Sequence, residues 1–185
     1  MSRTIREYVL LIILAMQGTG VFAAQLPASE AVPNQVLLNN LVATAGQEVT
    51  LHLRFETQTE VKINRLKLEI VLPMPQLSLV RVERPYPVEK VEGKISVQEM
   101  ESGRIQLEIA LPENSLEALS EEAVAFLVIQ VAGNVEALPL TIGVENVEMR
   151  DLQGRFLEEI QDSQARINVV SEALYPLIAC FFYLH

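Results

Sequence analysis

Apolar and polar residues alternate without a break along residues 49–55 of the chain. Strict alternation turns every second side chain to the same face, so this pattern predicts a half-buried β-strand. The alternation returns at residues 105–109. A nearly all-apolar run at residues 123–131 fits either a central strand that is covered on both faces or a buried helix, and its β-branched content favours the strand.

Residues 61–72 form the longest predicted strand, and their apolar positions share one face only if a bulge falls near Asn64. Pro73 and Pro75 end this strand, because proline has no N–H to donate to a sheet. Residues 94–100 and 104–111 are predicted to pair as a hairpin across a three-residue connection. Further strands are expected at residues 36–38 with 41–42, 48–56, 77–84, 139–148 and 165–170, with a hairpin-type turn at residues 151–155.

Only one helical turn is expected, at residues 115–122, with Asn114 or Ser115 as its N-cap. Strands at this spacing, with turn signals between them, predict an all-β sandwich. The chain of 185 residues is long enough for one domain with a substantial core.

The N-terminus has the layout of a secretory signal peptide. Arg3 and Arg6 precede an apolar run, and small residues follow at the positions that favour cleavage before Ala24. The run is shorter than the ~20 residues that span a bilayer, which favours cleavage over a retained signal anchor. We therefore expect an exported protein that is secreted, extracellular or attached to the cell surface.

The last residues, 173–184, are almost wholly apolar but too short to span a bilayer comfortably. Three interpretations stay open: an extra strand packed on the domain, the start of a membrane anchor, or a segment foreign to the natural product. Membrane contact is expected only through this tail. The expected organisation is a signal peptide (1–23), a flexible leader (24–34), a sandwich domain (35–170) and an apolar tail of uncertain role (171–185).

The charge of the chain argues against nucleic acid as a partner. The formal net charge is −10, and removal of residues 1–23 makes it one unit more negative, −11. A strongly acidic surface repels phosphate backbones. Cys180 is the only cysteine, so an intrachain disulfide and a cysteine-based zinc site are both excluded.

Residues that could perform catalysis are scarce. His52 is the only internal histidine, and it falls on the solvent-facing phase of its strand, so no Ser/His/Asp set can be assembled. The acidic pairs at residues 121–122 and 158–159 are expected to be solvated. Asp151 and Asp162 are too few for a calcium loop of EF-hand type. We therefore predict no enzyme, no catalytic, metal or cofactor-binding residues, and no cofactor.

Binding residues are harder to assign. Tyr86 lies between Pro85 and Pro87, and a rigid turn with a packed ring is favoured over a sugar-binding platform. Arg54, Lys67 and Glu69 are candidates only because they occupy solvent-facing positions. The ligand-binding residues therefore stay unknown at this stage.

The order of these signals between residues 36 and 170 resembles a cohesin module. The resemblance is carried by the turn and alternating strand at residues 45–51, the proline-ended strand at 68–77, the apolar strand at 125–131, the proline–leucine strand at 139–142, the turn at 151–154 and the last strand at 165–169. Family members commonly have glycine and aspartate where this chain has Asn64 with Arg65 and Leu72 with Pro73. No dockerin-contact residue carries over.

The resemblance implies an all-β jelly-roll β-sandwich of about nine strands, immunoglobulin-like in outline. It also implies a non-catalytic protein-binding module, in the family's case for calcium-bearing dockerin domains in polysaccharide-degrading assemblies. Two alternatives remain: a structural subunit of an envelope or pilus-like assembly that docks by strand addition, and, less favoured, a carbohydrate-binding module.

Overall fold

A computed structural model describes residues 34–57 and 61–171 of the chain. Eleven strands within these residues form two sheets. The strands are β1 (Asn34–Leu38), β2 (Leu41–Thr44), β3 (Glu48–Glu56), β4 (Ile63–Val71), β5 (Leu77–Glu83), β6 (Lys94–Glu99), β7 (Arg104–Ala110), β8 (Ala125–Val131), β9 (Pro139–Asp151), β10 (Ile160–Gln161) and β11 (Ser163–Val170). One helix, α1 (Tyr86–Lys90), lies between β5 and β6.

The two sheets face each other across an apolar core. One sheet has five strands in the order β10-β1-β3-β8-β5, and the other has six in the order β2-β11-β9-β4-β7-β6. Inward positions alternate with outward ones, as in β3, where every second residue from Val49 to Phe55 is buried. The predicted all-β jelly-roll sandwich is confirmed, with two more strands than the nine expected.

One extra strand is β10, and the other arises because the first strand region divides between the sheets. β1 pairs with β3 in the five-stranded sheet, whereas β2 pairs in parallel with β11 in the six-stranded sheet. Two asparagine side chains stabilise the crossover: Asn39 accepts the backbone N–H of His52 at 2.6 Å, and Asn40 accepts that of Arg166 at 2.8 Å.

The bulge predicted near Asn64 is present as a register shift between Ile63 and Arg65 against β9. It brings Ile63 into phase with Leu66, so both are fully buried. The hairpin of β6 and β7 is confirmed as well, and a 3-10 turn at Glu101–Gly103 connects its strands.

The helical turn expected at residues 115–122 is wrong. The backbone N–H of Leu119 is bonded to the carbonyl of Ile63 rather than within a helix. The hydroxyls of Ser115 and Ser120 accept the N–H groups two residues onward, which competes with helix formation.

The only helix among the described residues instead starts after Pro85, in the segment expected to be a rigid turn. Prolines fit the first helical turn because the N–H groups there have no intrahelical acceptor. The helix buries Val88 and leaves Tyr86 72% exposed, so the expected packing of this ring is also wrong. No helix in the described part of the chain is long and apolar enough to cross a membrane.

β1 begins at Asn34, one residue before the start expected for the sandwich domain. The predictions for the signal peptide, the tail and Cys180 fall on residues outside the described ranges.

Candidate functional site

The outward side of β9, β4, β7 and β6 is a polar surface four strands wide, which we call the six-strand face. On β9, β4 and β7 its positions alternate with buried core positions. Its members are Lys94, Ser96 and Gln98 on β6, Arg104, Gln106 and Glu108 on β7, Arg65, Lys67 and Glu69 on β4, and Glu145, Glu148 and Arg150 on β9.

Charges on this face nearly balance, with one cation in excess, although the protein as a whole is strongly acidic. The carboxylates are Glu69, Glu108, Glu145 and Glu148, and the cations are Arg65, Lys67, Lys94, Arg104 and Arg150. The net acidic charge of the chain, −10, therefore lies elsewhere on the molecule. A nearly neutral, richly charged face on an otherwise acidic protein can discriminate among partners by the arrangement of its charges.

Like charges stand directly opposite each other at two places on the six-strand face. Glu69 is opposite Glu145 in the register of β4 and β9, and Arg104 bridges both carboxylates at 2.9 and 3.1 Å. The pKa of Arg104 is raised above its ordinary value, first by the hydrogen bond to Glu69 and then by the one to Glu145. This pair of carboxylates is therefore satisfied within the protein.

The second like-charged pair is Arg65 opposite Arg150. Arg65 contacts Glu108 at 2.5 Å, and Arg150 lies 4.1 Å above the ring of Phe156. No ion pair joins Arg150 to a carboxylate among the described residues. Like charges directly opposite on neighbouring strands are destabilising unless something compensates them.

A shallow depression in the six-strand face contains this cationic pair. It is lined by Arg65, Lys67, Glu108, Glu148 and Arg150. Three cations and two carboxylates leave the depression with a net positive charge. The arrangement suits an anionic group presented by a partner.

The outward side of the other sheet, the five-strand face, is different. Its residues on the long strands are Glu48, Thr50, His52 and Arg54 on β3, Phe126, Val128 and Gln130 on β8, and Ser78, Arg81 and Glu83 on β5.

Arg81 donates to Glu83 at 2.7 Å and to Glu48 at 3.4 Å, so its guanidinium connects β5 to β3 across β8. The glutamates raise the pKa of Arg81, Glu83 first through its hydrogen bond. Val128 lies opposite Arg81 in the register and is only 3% exposed. The rings of His52 and Phe126 lie 4.7 Å apart beside it.

The solvent-facing residues suggested by the sequence therefore do not share one surface. Lys67 and Glu69 lie on the six-strand face, whereas Arg54 lies on the five-strand face, paired with Glu56 at 2.8 Å. Arg65, Arg104 and Arg150 were not among those candidates. The same alternation would have marked them as outward, but only the long-range pairing of β4 with β7 and β9 brings them together.

Asp151 carries the one buried charge among the described residues, at 4% exposure. Burial acts to raise the pKa of its carboxyl, but hydrogen bonds outweigh burial and lower it. The donors are the backbone N–H groups of Gln153 and Arg155, at 2.9 Å each, and the Arg155 side chain. This aspartate stabilises the turn after β9. Within the described residues, no group of three or more His, Cys, Asp or Glu side chains is placed to hold a metal ion.

Comparisons with known proteins find similarity in the fold but not in the sequence. No protein-family model matches the chain, and no curated protein matches it. Solved cohesin structures do match. The non-cellulosomal cohesin of Archaeoglobus fulgidus aligns with a TM-score of 0.63 and 14% identity, over 83% of this chain and 100% of its own.

Two bacterial cohesins are similar to the same extent. The third ScaC cohesin of Acetivibrio cellulolyticus, solved in complex with the ScaB dockerin, gives a TM-score of 0.65 and 14% identity over 75% of this chain and 99% of its own. The seventh ScaB type I cohesin of Pseudobacteroides cellulosolvens gives 0.60 and 17%, over 75% and 92%. The protein is therefore a jelly-roll β-sandwich. Its fold is cohesin-like.

Proposed function

We propose that this protein is an exported, non-catalytic module that binds another protein through the six-strand face. The observation that carries the proposal is the cationic pair of Arg65 and Arg150, which lies in a depression of that face. A carboxylate from a partner placed between the two guanidinium groups compensates their repulsion on binding. This interaction gives the face both an anchoring point and a required charge on the partner.

The other charges of the six-strand face determine how a partner aligns on it rather than how tightly the partner binds. The Arg104 bridge to Glu69 and Glu145 is partly exposed, so a partner meets an ordered set of charges at fixed positions. Charged complementarity of this kind steers the encounter and rejects partners with the wrong arrangement. The polar side chains of β6 form the rim, where exposed contacts add little energy.

The partner we propose is a dockerin-like domain that brings its own calcium, in an assembly that degrades polysaccharides. Support comes from the fold, since similar cohesins were solved in complex with dockerins. Export is supported by the signal-peptide pattern of residues 1–23. It predicts that the protein recovered from its native source begins at Ala24, which mass spectrometry of the intact chain tests directly.

The test of function is capture of secreted and envelope proteins by the immobilised chain, in calcium and again after chelation. We expect calcium-dependent capture of a protein with a dockerin-like domain. The variant Arg65→Glu/Arg150→Glu should lose that capture. Arg54→Glu is the matched control, because Arg54 is about as exposed as Arg65 (50% against 45%) and also forms one ion pair.

Other results separate the alternatives. Equal capture by all variants would overturn the assignment of the six-strand face. The alternative result is capture of an envelope or pilus-type component that is unchanged by calcium chelation but lost when residues 173–185 are deleted. This result would favour the structural-subunit hypothesis.

One observation favours the carbohydrate-binding alternative, namely the 72% exposure of Tyr86. An exposed ring at the start of α1 can stack on a sugar. If the protein is retained on an insoluble polysaccharide, Tyr86→Ala should abolish retention while leaving protein capture unchanged. Retention that survives this substitution would remove the only observation supporting this alternative.

A further inference from the structure

β6 is the one long, regular and open edge strand in the described part of the structure. Each sheet has two edges, formed by β10 and β5 in one and by β2 and β6 in the other. β10 has two residues and β2 has four. β5 is interrupted by a register shift between Leu79 and Arg81. β6 pairs with β7 through six consecutive residues without a shift, and it contains no proline.

The hydrogen bonds of the hairpin show which backbone groups of β6 face the open edge. The N–H of Met100 donates to the carbonyl of Arg104 at 2.8 Å, so residue 100 directs its backbone groups toward β7. In an antiparallel ladder this direction alternates along the strand. The N–H and C=O groups of Ile95, Val97 and Glu99 therefore point away from β7, and no strand among the described residues pairs with them.

Natural proteins usually protect such an edge with a proline, a bulge or a charge at its centre. Here the centre is Val97, which is 42% exposed. The charged residues lie at the two ends, with Lys94 at the start and Glu99 and Glu101 at the finish.

We propose that β6 pairs antiparallel with β6 of a second copy of this chain, about a two-fold axis at Val97. With Val97 opposite its symmetry mate, Ile95 lies opposite Glu99 of the other copy. The residues with free backbone groups then face one another and close a ladder of N–H···O=C bonds. The same operation places the two exposed valines in contact.

The charges of the strand favour antiparallel over parallel self-pairing. Antiparallel self-pairing puts Lys94 of one copy opposite Met100 of the other, and Glu99 opposite Ile95, so that no two like charges stand opposite each other. A parallel arrangement would instead put Lys94 beside Lys94 and Glu99 beside Glu99. An interface that is complementary to itself in this way is a property of two-fold dimers.

Sedimentation equilibrium of the full chain, together with amide hydrogen exchange at low and high protein concentration, tests the proposal. The amides of residues 95, 97 and 99 should become protected as concentration rises, whereas those of residues 96 and 98 should be protected throughout by β7. A chain that stays monomeric up to about 1 mM, the weak end of specific binding, would overturn it.

Val97→Pro should abolish dimerisation without unfolding the hairpin, because the N–H it removes faces the open edge. Ser96→Pro provides the contrast, since it removes a donor to β7 and should lower the unfolding midpoint. If Val97→Pro fails to fold, Val97→Lys tests the same contact by placing two cations together at the axis. Dimerisation that survives Val97→Lys would count against the proposal.

The register is tested by cross-linking in a Cys180→Ser background. Val97→Cys should cross-link to itself through a short bismaleimide. Val80→Cys, on the interrupted edge strand β5, should not. These valines have matched exposures, 42% and 45%. Equal cross-linking of both variants would indicate random collision and overturn the two-fold pairing. Because Arg65→Glu/Arg150→Glu leaves β6 unchanged, that variant should still dimerise, which separates failure of this inference from failure of the proposed function.

Discussion

The six-strand face and the five-strand face arise from the same alternation of polar and apolar residues, but their charges are arranged differently. On the five-strand face, Arg81 joins carboxylates from β3 and β5 and lies beside Val128, which is almost fully buried. On the six-strand face, Arg104 also joins two carboxylates, but the cations Arg65 and Arg150 remain directly opposite each other.

This difference indicates how the two faces of one sandwich can differ in their suitability for a charged partner. A surface whose charges are all compensated internally gains nothing from a charged partner. A surface that retains a like-charged pair is relieved of repulsion when a partner supplies the opposite charge. The distinction between the two faces lies in which charged side chains the strand pairing brings together.

The largest expected effect is on binding. Arg65→Glu/Arg150→Glu should weaken partner capture by about 100-fold, which corresponds to roughly 2.7 kcal/mol. Arg54→Glu on the five-strand face should change it by less than about threefold. Surface plasmon resonance with the captured partner measures both. A loss of similar size for Arg54→Glu would show that general charge, rather than the six-strand face, determines binding.

The second effect is on stability and compares two outward valines. Val128 on the five-strand face is 3% exposed, whereas Val42 on the outward side of β2 is 45% exposed. Val128→Ala should reduce the free energy of unfolding by about 1.5 kcal/mol, and Val42→Ala by roughly a third of that or less. Urea unfolding measures both. Equal losses would mean that Val128 is not packed on the outward side of its sheet.

The third effect compares a buried and an exposed carboxylate on β9. The pKa of Asp151 is lowered from its reference value of 3.8 by the hydrogen bonds of the following turn, which outweigh its burial. A lowered folded-state pKa contributes stability above the unfolded value, and this contribution is lost as pH falls through the folded value. Asp151→Asn should therefore lower the urea midpoint at pH 7 and reduce its fall below pH 4.

Glu145→Gln is the control for that experiment, because Glu145 lies on the outward side of the same strand. It should leave the pH dependence close to that of the wild type. If Asp151→Asn retained the full acid-dependent loss, the turn after β9 would not depend on the buried charge.

Much of the fold follows from local pattern, because burial imposes the alternation directly. The strand at residues 49–55 and the bulge near Asn64 both follow from which residues must face the core. The helix was misplaced because two local preferences mislead. Ser115 suggested an N-cap, but its hydroxyl, like that of Ser120, accepts a nearby N–H group outside a helix. The prolines around Tyr86, in contrast, initiate a helix rather than prevent one.

The site was less accessible from the sequence than the fold. The phase of each strand marks Arg65 and Arg150 as outward, but they are 85 positions apart and nothing local indicates that they meet. Their pairing depends on β4 lying between β7 and β9, which is a property of the whole sheet. Arg54 and Lys67 both occupy polar positions of alternating strands. They nevertheless lie on opposite faces, because β3 and β4 belong to different sheets.

The smallest expected effect tests whether the bridging arginines themselves distinguish the faces. Arg81 and Arg104 are similarly exposed, at 52% and 41%, and each joins two glutamates. Exposed ion pairs contribute little to stability, so Arg81→Met should leave the urea midpoint nearly unchanged at all salt concentrations. Arg104→Met leaves Glu69 directly opposite Glu145, whereas Glu48 and Glu83 lie on strands that are not neighbours.

Arg104→Met should therefore lower the urea midpoint slightly at low salt. The midpoint should return toward the wild-type value as salt screens the two carboxylates. Measuring both variants across a salt series separates the repulsion between Glu69 and Glu145 from the loss of an ion pair, which both variants share. An identical salt response in Arg81→Met would show that opposition of like charges is not what distinguishes the six-strand face. The same result would remove the physical basis for assigning a function to Arg65 and Arg150.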